Sequence, residues 1–137
     1  MLVIIHGKIR TMEKEDYEDG YLEIEQGKIV AIGDMASCDK RQLYENDKVQ
    51  VIDAGGNLVM PGLIEAHCHM GITEEKKGME GDDCNETVDP VTPQLRAIDA
   101  INPMDAAFTD AIRAGITSAM IGPGSSNVVG GQFSFLK

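Results

Sequence analysis

Short apolar runs alternate with polar, glycine-containing turns over the first sixty residues of the chain. Runs of this kind are typical of β-strands, because a short strand ends where glycine or polar side chains favour a turn. The strands that the pattern predicts are Leu2–Met12, Tyr21–Glu25, Lys28–Ile32, Val49–Asp53 and Asn57–Met60. Gln26-Gly27 predicts a hairpin turn between the second and third strands, since glycine adopts positive φ without steric cost. We therefore expect the first three strands to form a β meander.

The pattern changes at Pro61-Gly62, where we expect a boundary between two parts of the chain. The following segment, Leu63–Met70, mixes apolar residues with histidines over a length that suits one buried strand. Residues 71–93 are rich in charge, glycine and proline and predict a long loop. Because loops of this length inside compact domains are usually functional or mobile, its position directly after the histidines is of interest.

The segment after this loop has the spacing of a helix and then of a strand. Met104–Ala114 repeats apolar residues at helical intervals, and we expect Asn102 as its N-cap and Pro103 at its first helical position. Ile116–Ile121 follows as a strand. The order strand, loop, helix, strand is the unit of a parallel sheet with helices on its face, so the second part predicts an α/β fold.

Composition and charge argue against several function classes. With 42% hydrophobic and 26% charged residues, the chain resembles soluble globular proteins, and its apolar runs are far shorter than the about 20 residues of a membrane helix. We expect no membrane partner and, since Met1–Ile5 lacks the features of a signal peptide, a cytoplasmic protein. The formal net charge of −11 would repel a phosphate backbone, so nucleic acid is not an expected partner. The three cysteines share no metal-binding spacing and are expected to be reduced.

The two histidines of the Leu63–Met70 segment are the candidate chemical groups. Side chains alternate between the faces of a strand, so His67 and His69 are expected on one side and Cys68 on the other. Glu65 shares the histidine face by the same parity. Neutral imidazoles are ligands for zinc, iron and related ions, so the pair can bind one metal, although this spacing alone is weak evidence.

The residues around the histidines resemble a known family. The run from Val51 to Gly71, VIDAGGNLVMPGLIEAHCHMG, resembles the signature of the amidohydrolase superfamily of metal-dependent hydrolases. Three later segments resemble its imidazolonepropionase-related branch: residues 91–103, 115–117 and 122–125. The resemblance implies that residues 1–60 are the N-terminal part of a small β-sandwich domain. It also implies that residues 61–137 are the start of a TIM-like (β/α)8 barrel with its first two strands, the remainder missing.

For the full-length protein, the resemblance implies an enzyme that uses metal-activated water to hydrolyse a C–N bond of a small molecule, in an amide, cyclic amide or amidine. His67 and His69 would be the first ligands of one or two divalent ions, zinc in the first place and iron or manganese as alternatives. The remaining ligands and the general base are expected beyond Lys137, and a homo-oligomer is expected. Gly122–Gln132, which lacks the lysine of a phosphate loop, is expected to face the substrate rather than a nucleotide.

A complete barrel of this type takes roughly 250 residues, so this chain has material for only its beginning. We therefore expect the fragment alone to be inactive. The alternative hypothesis is a non-catalytic, amidohydrolase-like binding or structural module that keeps the histidines.

Overall fold

A computed structural model describes residues 1–39, 43, 46–75 and 77–137, which form two compact units. The units are Met1–Pro61 and Gly62–Lys137. Each unit has a β-sheet and an apolar core of its own. Within the described ranges, no helix is long and apolar enough to cross a membrane.

In the described part of the first unit, five strands form a mixed sheet. The strands are β1 (Leu2–Ile9), β2 (Tyr17–Glu25), β3 (Lys28–Asp34), β4 (Gln50–Asp53) and β5 (Leu58–Val59), and a 3-10 helix, Met35–Ser37, follows β3. β1 pairs antiparallel with β2 on one side and parallel with β4 and β5 on the other. The predicted meander is confirmed for β1, β2 and β3, whereas β4 and β5 return to pair with β1 instead of continuing beside β3.

The turns and strand ends of this sheet have local causes. The predicted hairpin at Gln26-Gly27 is confirmed, since both residues have positive φ, 50° and 74°, as a type I′ turn requires. β1 ends at Ile9 before the predicted Met12, whose φ of 60° does not fit a strand. β2 begins earlier than predicted because Tyr17 pairs with Ile9, which extends the ladder through polar residues on an exposed face.

The described residues of the second unit form three strands, β6 (Leu63–Cys68), β7 (Ile116–Ile121) and β8 (Ser134–Leu136). The same residues include a 3-10 helix, Gly78–Gly81, and the α-helices α1 (Ala97–Ala100) and α2 (Ala106–Arg113). β6 and β7 are parallel with α2 between them in the chain, which is the predicted strand, helix, strand order. β8 is antiparallel to β7 and, like α1, was not predicted.

The predicted start of the main helix was wrong. Its N-cap is Asp105, whose Oδ1 accepts a hydrogen bond from the backbone N of Ala107 at 3.2 Å. Asn102 instead accepts from the backbone N of Met104 at 3.0 Å and forms a turn ahead of the helix. Two candidate capping residues therefore precede this helix, and the one nearer to it is the cap.

Candidate metal centre

The parallel pairing of β6 and β7 places the carboxyl ends of both strands at one edge of the sheet. Cys68, the last residue of β6, pairs with Ile121, the last residue of β7. His67 lies within β6, whereas His69 lies just beyond the end of the strand, which is shorter than predicted. The two imidazoles nevertheless meet edge to face, with ring centroids 5.3 Å apart and ring planes at 86°. The structure thus brings the predicted pair together.

The ring of His69 is oriented by the backbone of the neighbouring strand end. Its Nδ1 lies 2.7 Å from the carbonyl oxygen of Gly122. A carbonyl can only accept a hydrogen bond, so Nδ1 donates it, which in a neutral imidazole leaves the lone pair on Nε2. Gly122 is fixed in turn, because its N–H donates to the carbonyl of Cys68 at 3.1 Å. His69 therefore has the tautomer and the backbone partner that are common among metal-binding histidines.

His67 is held differently. It is exposed, and among the described residues its ring has no hydrogen-bond partner and contacts only two other rings, those of His69 and Phe133. The centroid of the Phe133 ring lies 5.2 Å from that of His67, with the planes tilted by 60°. Sequence reasoning missed Phe133, because nothing in its local pattern connects it to β6.

The neighbours of the histidines on β6 have separate environments. Glu65 Oε1 accepts a hydrogen bond from the backbone N of His67 at 3.0 Å, so this carboxylate lies along the strand beside the pair. Cys68 packs against the apolar core of the second unit, and its Sγ lies 3.7 Å from the carbonyl oxygen of Met120. The thiol therefore points away from the histidines, as the alternation of the strand predicts.

The side chains of His67 and His69 could make up part of a metal site. Two imidazoles at one strand end, one of them with Nε2 free, are suitable ligands for zinc or iron. Over the described ranges, however, no group of three or more histidine, cysteine or acidic side chains is arranged to hold a metal ion. His6 belongs to the first unit, where its Nδ1 lies 3.0 Å from Asp19 Oδ1. A metal ion held by this pair would therefore need further ligands.

The chain that leaves His69 is fixed by a buried carboxylate. Asp105, only 6% exposed, accepts hydrogen bonds through Oδ2 from the N–H of Gly71 at 3.2 Å and through both oxygens from the N–H of Glu75 at 3.3 Å. Gly71 also accepts from the backbone N of Asn102 at 2.9 Å. Its φ of 75° and its contact with Phe108, where a Cβ would lie 2.9 Å from the ring, both require glycine. The start of the predicted long loop is thus attached to the beginning of α2.

Glu74 adds a second attachment in the same loop. Its Oε2 lies 2.7 Å from Lys77 Nζ and also accepts a hydrogen bond from the side-chain amide of Asn102. The hydrogen bond from Lys77, followed by that from Asn102, lowers the pKa of the Glu74 carboxyl. The carboxylate is therefore favoured in its ionised form, and the loop keeps its contacts to the segment before α2 at neutral pH.

A cavity of about 260 Å³ adjoins His67 and is lined mainly by the predicted substrate-facing loop, Gly122–Gln132. Two glycines of the loop allow close packing against the rest of the second unit. A Cβ on Gly124 would lie 2.3 Å from the side chain of Asn85, and one on Gly131 would lie 2.6 Å from the carbonyl oxygen of Leu95. These contacts fix the loop beside the histidine end of the sheet.

No protein-family model matches the chain. Among similar curated proteins, amidohydrolase tasK from Hapsidospora irregularis is 36% identical over 88 residues, which cover 64% of this chain and 9% of that protein. A 5'-deoxyadenosine deaminase from Methanosarcina acetivorans is 31% identical over 85% of this chain and 27% of its own length. An imidazolonepropionase from Fusobacterium nucleatum is 40% identical over 38% of this chain and 12% of its own. The chain thus spans less than a third of each of these relatives.

A solved structure agrees with these matches. The crystal structure of an amidohydrolase from Thermotoga maritima MSB8 superposes with a TM-score of 0.86 and 32% sequence identity, over 100% of this chain and 33% of that one. With its mixed sheets and few helices, the chain fits a β-sandwich domain in such a protein. The chain belongs to the amidohydrolase superfamily and corresponds to the N-terminal portion of its members.

Proposed function

We propose that His67 and His69 are the first two metal ligands of an enzyme that hydrolyses C–N bonds, and that the second unit begins a (β/α)8 barrel. The observation that carries the proposal is the meeting of the two imidazoles, 5.3 Å apart, at the carboxyl ends of two parallel strands. In barrels of this type, active sites are built at the carboxyl ends of the strands. The likeness to relatives that are named amidohydrolase or deaminase supports the proposed reaction class.

The residues of this chain have distinct roles in the proposed site. His69 presents Nε2 because its Nδ1–H donates to the carbonyl of Gly122. His67 presents its ring at the wall of the cavity formed with the 122–132 loop, where a small substrate would bind. Asp105 keeps the chain beyond the histidines in place. A bound divalent ion, zinc in the first place, would supply Lewis-acid polarisation and lower the pKa of water toward about 7.

The substrate class that we propose is a small nitrogen heterocycle or a related amide. Relatives of this chain are named for adenine, 5'-deoxyadenosine and imidazolonepropionate chemistry. An aminopurine is cleaved at an amidine C–N bond and an imidazolone at a cyclic amide bond, so one water-activating site suits both. The cavity beside His67 is a recess for part of such a ring, and the rest of the pocket would come from the remainder of the barrel.

The test measures turnover by the complete gene product. Ammonia release from adenine and from 5'-deoxyadenosine, and loss of the absorbance of an imidazolone, are followed before and after chelation and after zinc is restored. We expect activity on at least one substrate, its loss on chelation, and its loss in His67→Ala and His69→Ala. His6→Asn is the matched control, because it removes the remaining histidine while asparagine tolerates the φ of 53° at that position. Activity that survives in both histidine variants would refute the proposal and favour a non-catalytic role for the pair.

A further inference from the structure

We propose that Phe133 is a positioning residue for His67, which it orients through ring contact in place of a hydrogen bond. This inference rests on the proposed function, because it concerns how one of the two proposed ligands is held. Phe133 lies directly before β8, so it reaches the site through the antiparallel pairing of β8 with β7.

The two histidines are held by unlike means. His69 has a hydrogen bond of 2.7 Å from Nδ1 to the carbonyl of Gly122, which fixes both the ring orientation and the tautomer. For His67, the described residues provide no hydrogen bond to either ring nitrogen. Metal-binding histidines usually have a partner that orients the ring, and loss of the partner weakens metal binding. In His67 that task falls to the aromatic contact, at a centroid distance of 5.2 Å.

The position of Phe133 is itself determined by the strand end that holds His69. A Cβ added to Gly122 would lie 2.2 Å from the Phe133 ring, so the ring rests directly on the glycine backbone. Ser134, the next residue, pairs with Ile121, the residue before Gly122. Gly122 therefore contributes to holding both histidines. Its carbonyl accepts the hydrogen bond from His69, and its Cα packs against the Phe133 ring that contacts His67. A side chain at this position would displace Phe133.

The contact has a predictable effect on metal binding. An imidazole with no hydrogen-bonded partner can rotate about χ2 and exchange its tautomers, and immobilising such a side chain on binding is unfavourable. The Phe133 ring restricts that rotation before a metal binds. Removing the ring should therefore weaken metal binding by about three- to tenfold, less than the loss expected when a hydrogen-bonding partner is removed.

The experiment compares Phe133→Leu with Phe135→Leu. Phe135 lies within β8, two residues after Phe133, is 54% exposed and, within the described structure, has no ring contact with either histidine. The first readout is the 1H–13C spectrum of the imidazoles in the metal-free chain. The second is the affinity for Zn²⁺ in titrations of the same samples. Phe133→Tyr, which keeps the ring, is the rescue variant.

We expect Phe133→Leu to move the ring resonances of His67 more than those of His6 and to weaken zinc binding about three- to tenfold. Phe133→Tyr and Phe135→Leu should leave both quantities near wild type. A merely structural role would lower the melting temperature and leave the zinc affinity unchanged, and that result would overturn the inference.

Failure of the proposed function would look different. The wild-type chain would then bind no zinc at the histidines, while Phe133→Leu would still move the His67 resonances and so support the ring contact. If Phe133→Leu does not fold, Gly122→Ala provides the second perturbation, because its Cβ displaces the Phe133 ring. Unchanged His67 resonances in a folded Gly122→Ala would overturn the inference as well.

Discussion

Replacing Asp105 with alanine should destabilise the second unit by about 3 kcal/mol. The substitution removes the N-cap hydrogen bond that Asp105 accepts from the backbone N of Ala107, which is usually worth about 1 kcal/mol. It also leaves two amides without their acceptor, that of Gly71 in a buried hydrogen bond and that of Glu75 in a part-buried one, and an unsatisfied buried donor costs about 1–3 kcal/mol. The donor–acceptor distances of 3.2 and 3.3 Å are at the long end of the range, so the lower part of that interval applies to both amides. Asp105→Asn keeps an oxygen acceptor and should cost only about 1 kcal/mol.

Amide hydrogen exchange and urea unfolding followed by circular dichroism measure this effect. We expect exchange at Gly71 and Glu75 to accelerate about 100-fold in Asp105→Ala, which is the factor that roughly 3 kcal/mol corresponds to. Asp110→Ala is the matched control, because Asp110 lies on the same helix in an exposed ion pair with Arg113 and should change stability little. Unchanged protection of the two amides, with a loss of less than about 1 kcal/mol, would refute the role given to Asp105.

Three further predictions concern the turns, the glycine loop and the acid dependence of stability. Gln26→Asn should stabilise the first unit by up to roughly 1 kcal/mol in urea unfolding, because asparagine tolerates the left-handed φ of 50° better than glutamine; a lower midpoint would contradict this. Gly131→Ala should lower the melting temperature because of its clash with Leu95, whereas Gly130→Ala, with no neighbour closer than 3.9 Å, should not; equal effects would count against the packing described. The pKa of Glu74 is lowered in the fold, so its stabilising contribution is present above the usual carboxyl pKa and is lost as pH falls through the lowered value. Glu74→Gln should therefore reduce the acid sensitivity of unfolding, and an unaltered pH profile in this variant would be evidence against the ion pair.

Much of the fold follows from short-range patterns in the sequence. The prediction errors arise where contacts between residues far apart in the chain determine the structure. The Gln26-Gly27 turn and the Ile116–Ile121 strand depend on local chemistry, and both are present in the structure. The parallel pairing of β4 with β1 depends on residues far apart in the chain, which periodicity does not show. The helix start depended on a choice between Asn102 and Asp105. Asp105 is the cap, and it also accepts from the loop after β6, a long-range contact that propensity does not contain.

The candidate site, too, was predictable only where local patterns determine it. Alternation along a strand was sufficient to place His67 and His69 together and to turn Cys68 toward the core. Their supports could not be predicted. The carbonyl of Gly122 carries no side-chain signal, and Phe133 reaches His67 through a three-residue strand too short for a recognisable pattern. The sequence shows which side chains are candidate ligands, whereas the groups that orient those side chains depend on which strand ends lie next to each other.

Zinc titration of the chain, followed by the imidazole resonances, tests the central claim most directly. If His67 and His69 form the beginning of a metal site, their ring signals will move together as Zn²⁺ is added, while those of His6 remain unchanged. The double variant His67→Ala, His69→Ala will then bind zinc at least about tenfold more weakly, whereas His6→Asn will bind it as the wild type does. Signals of His67 and His69 that do not respond to zinc, or equal zinc affinity in the double variant, would contradict the account.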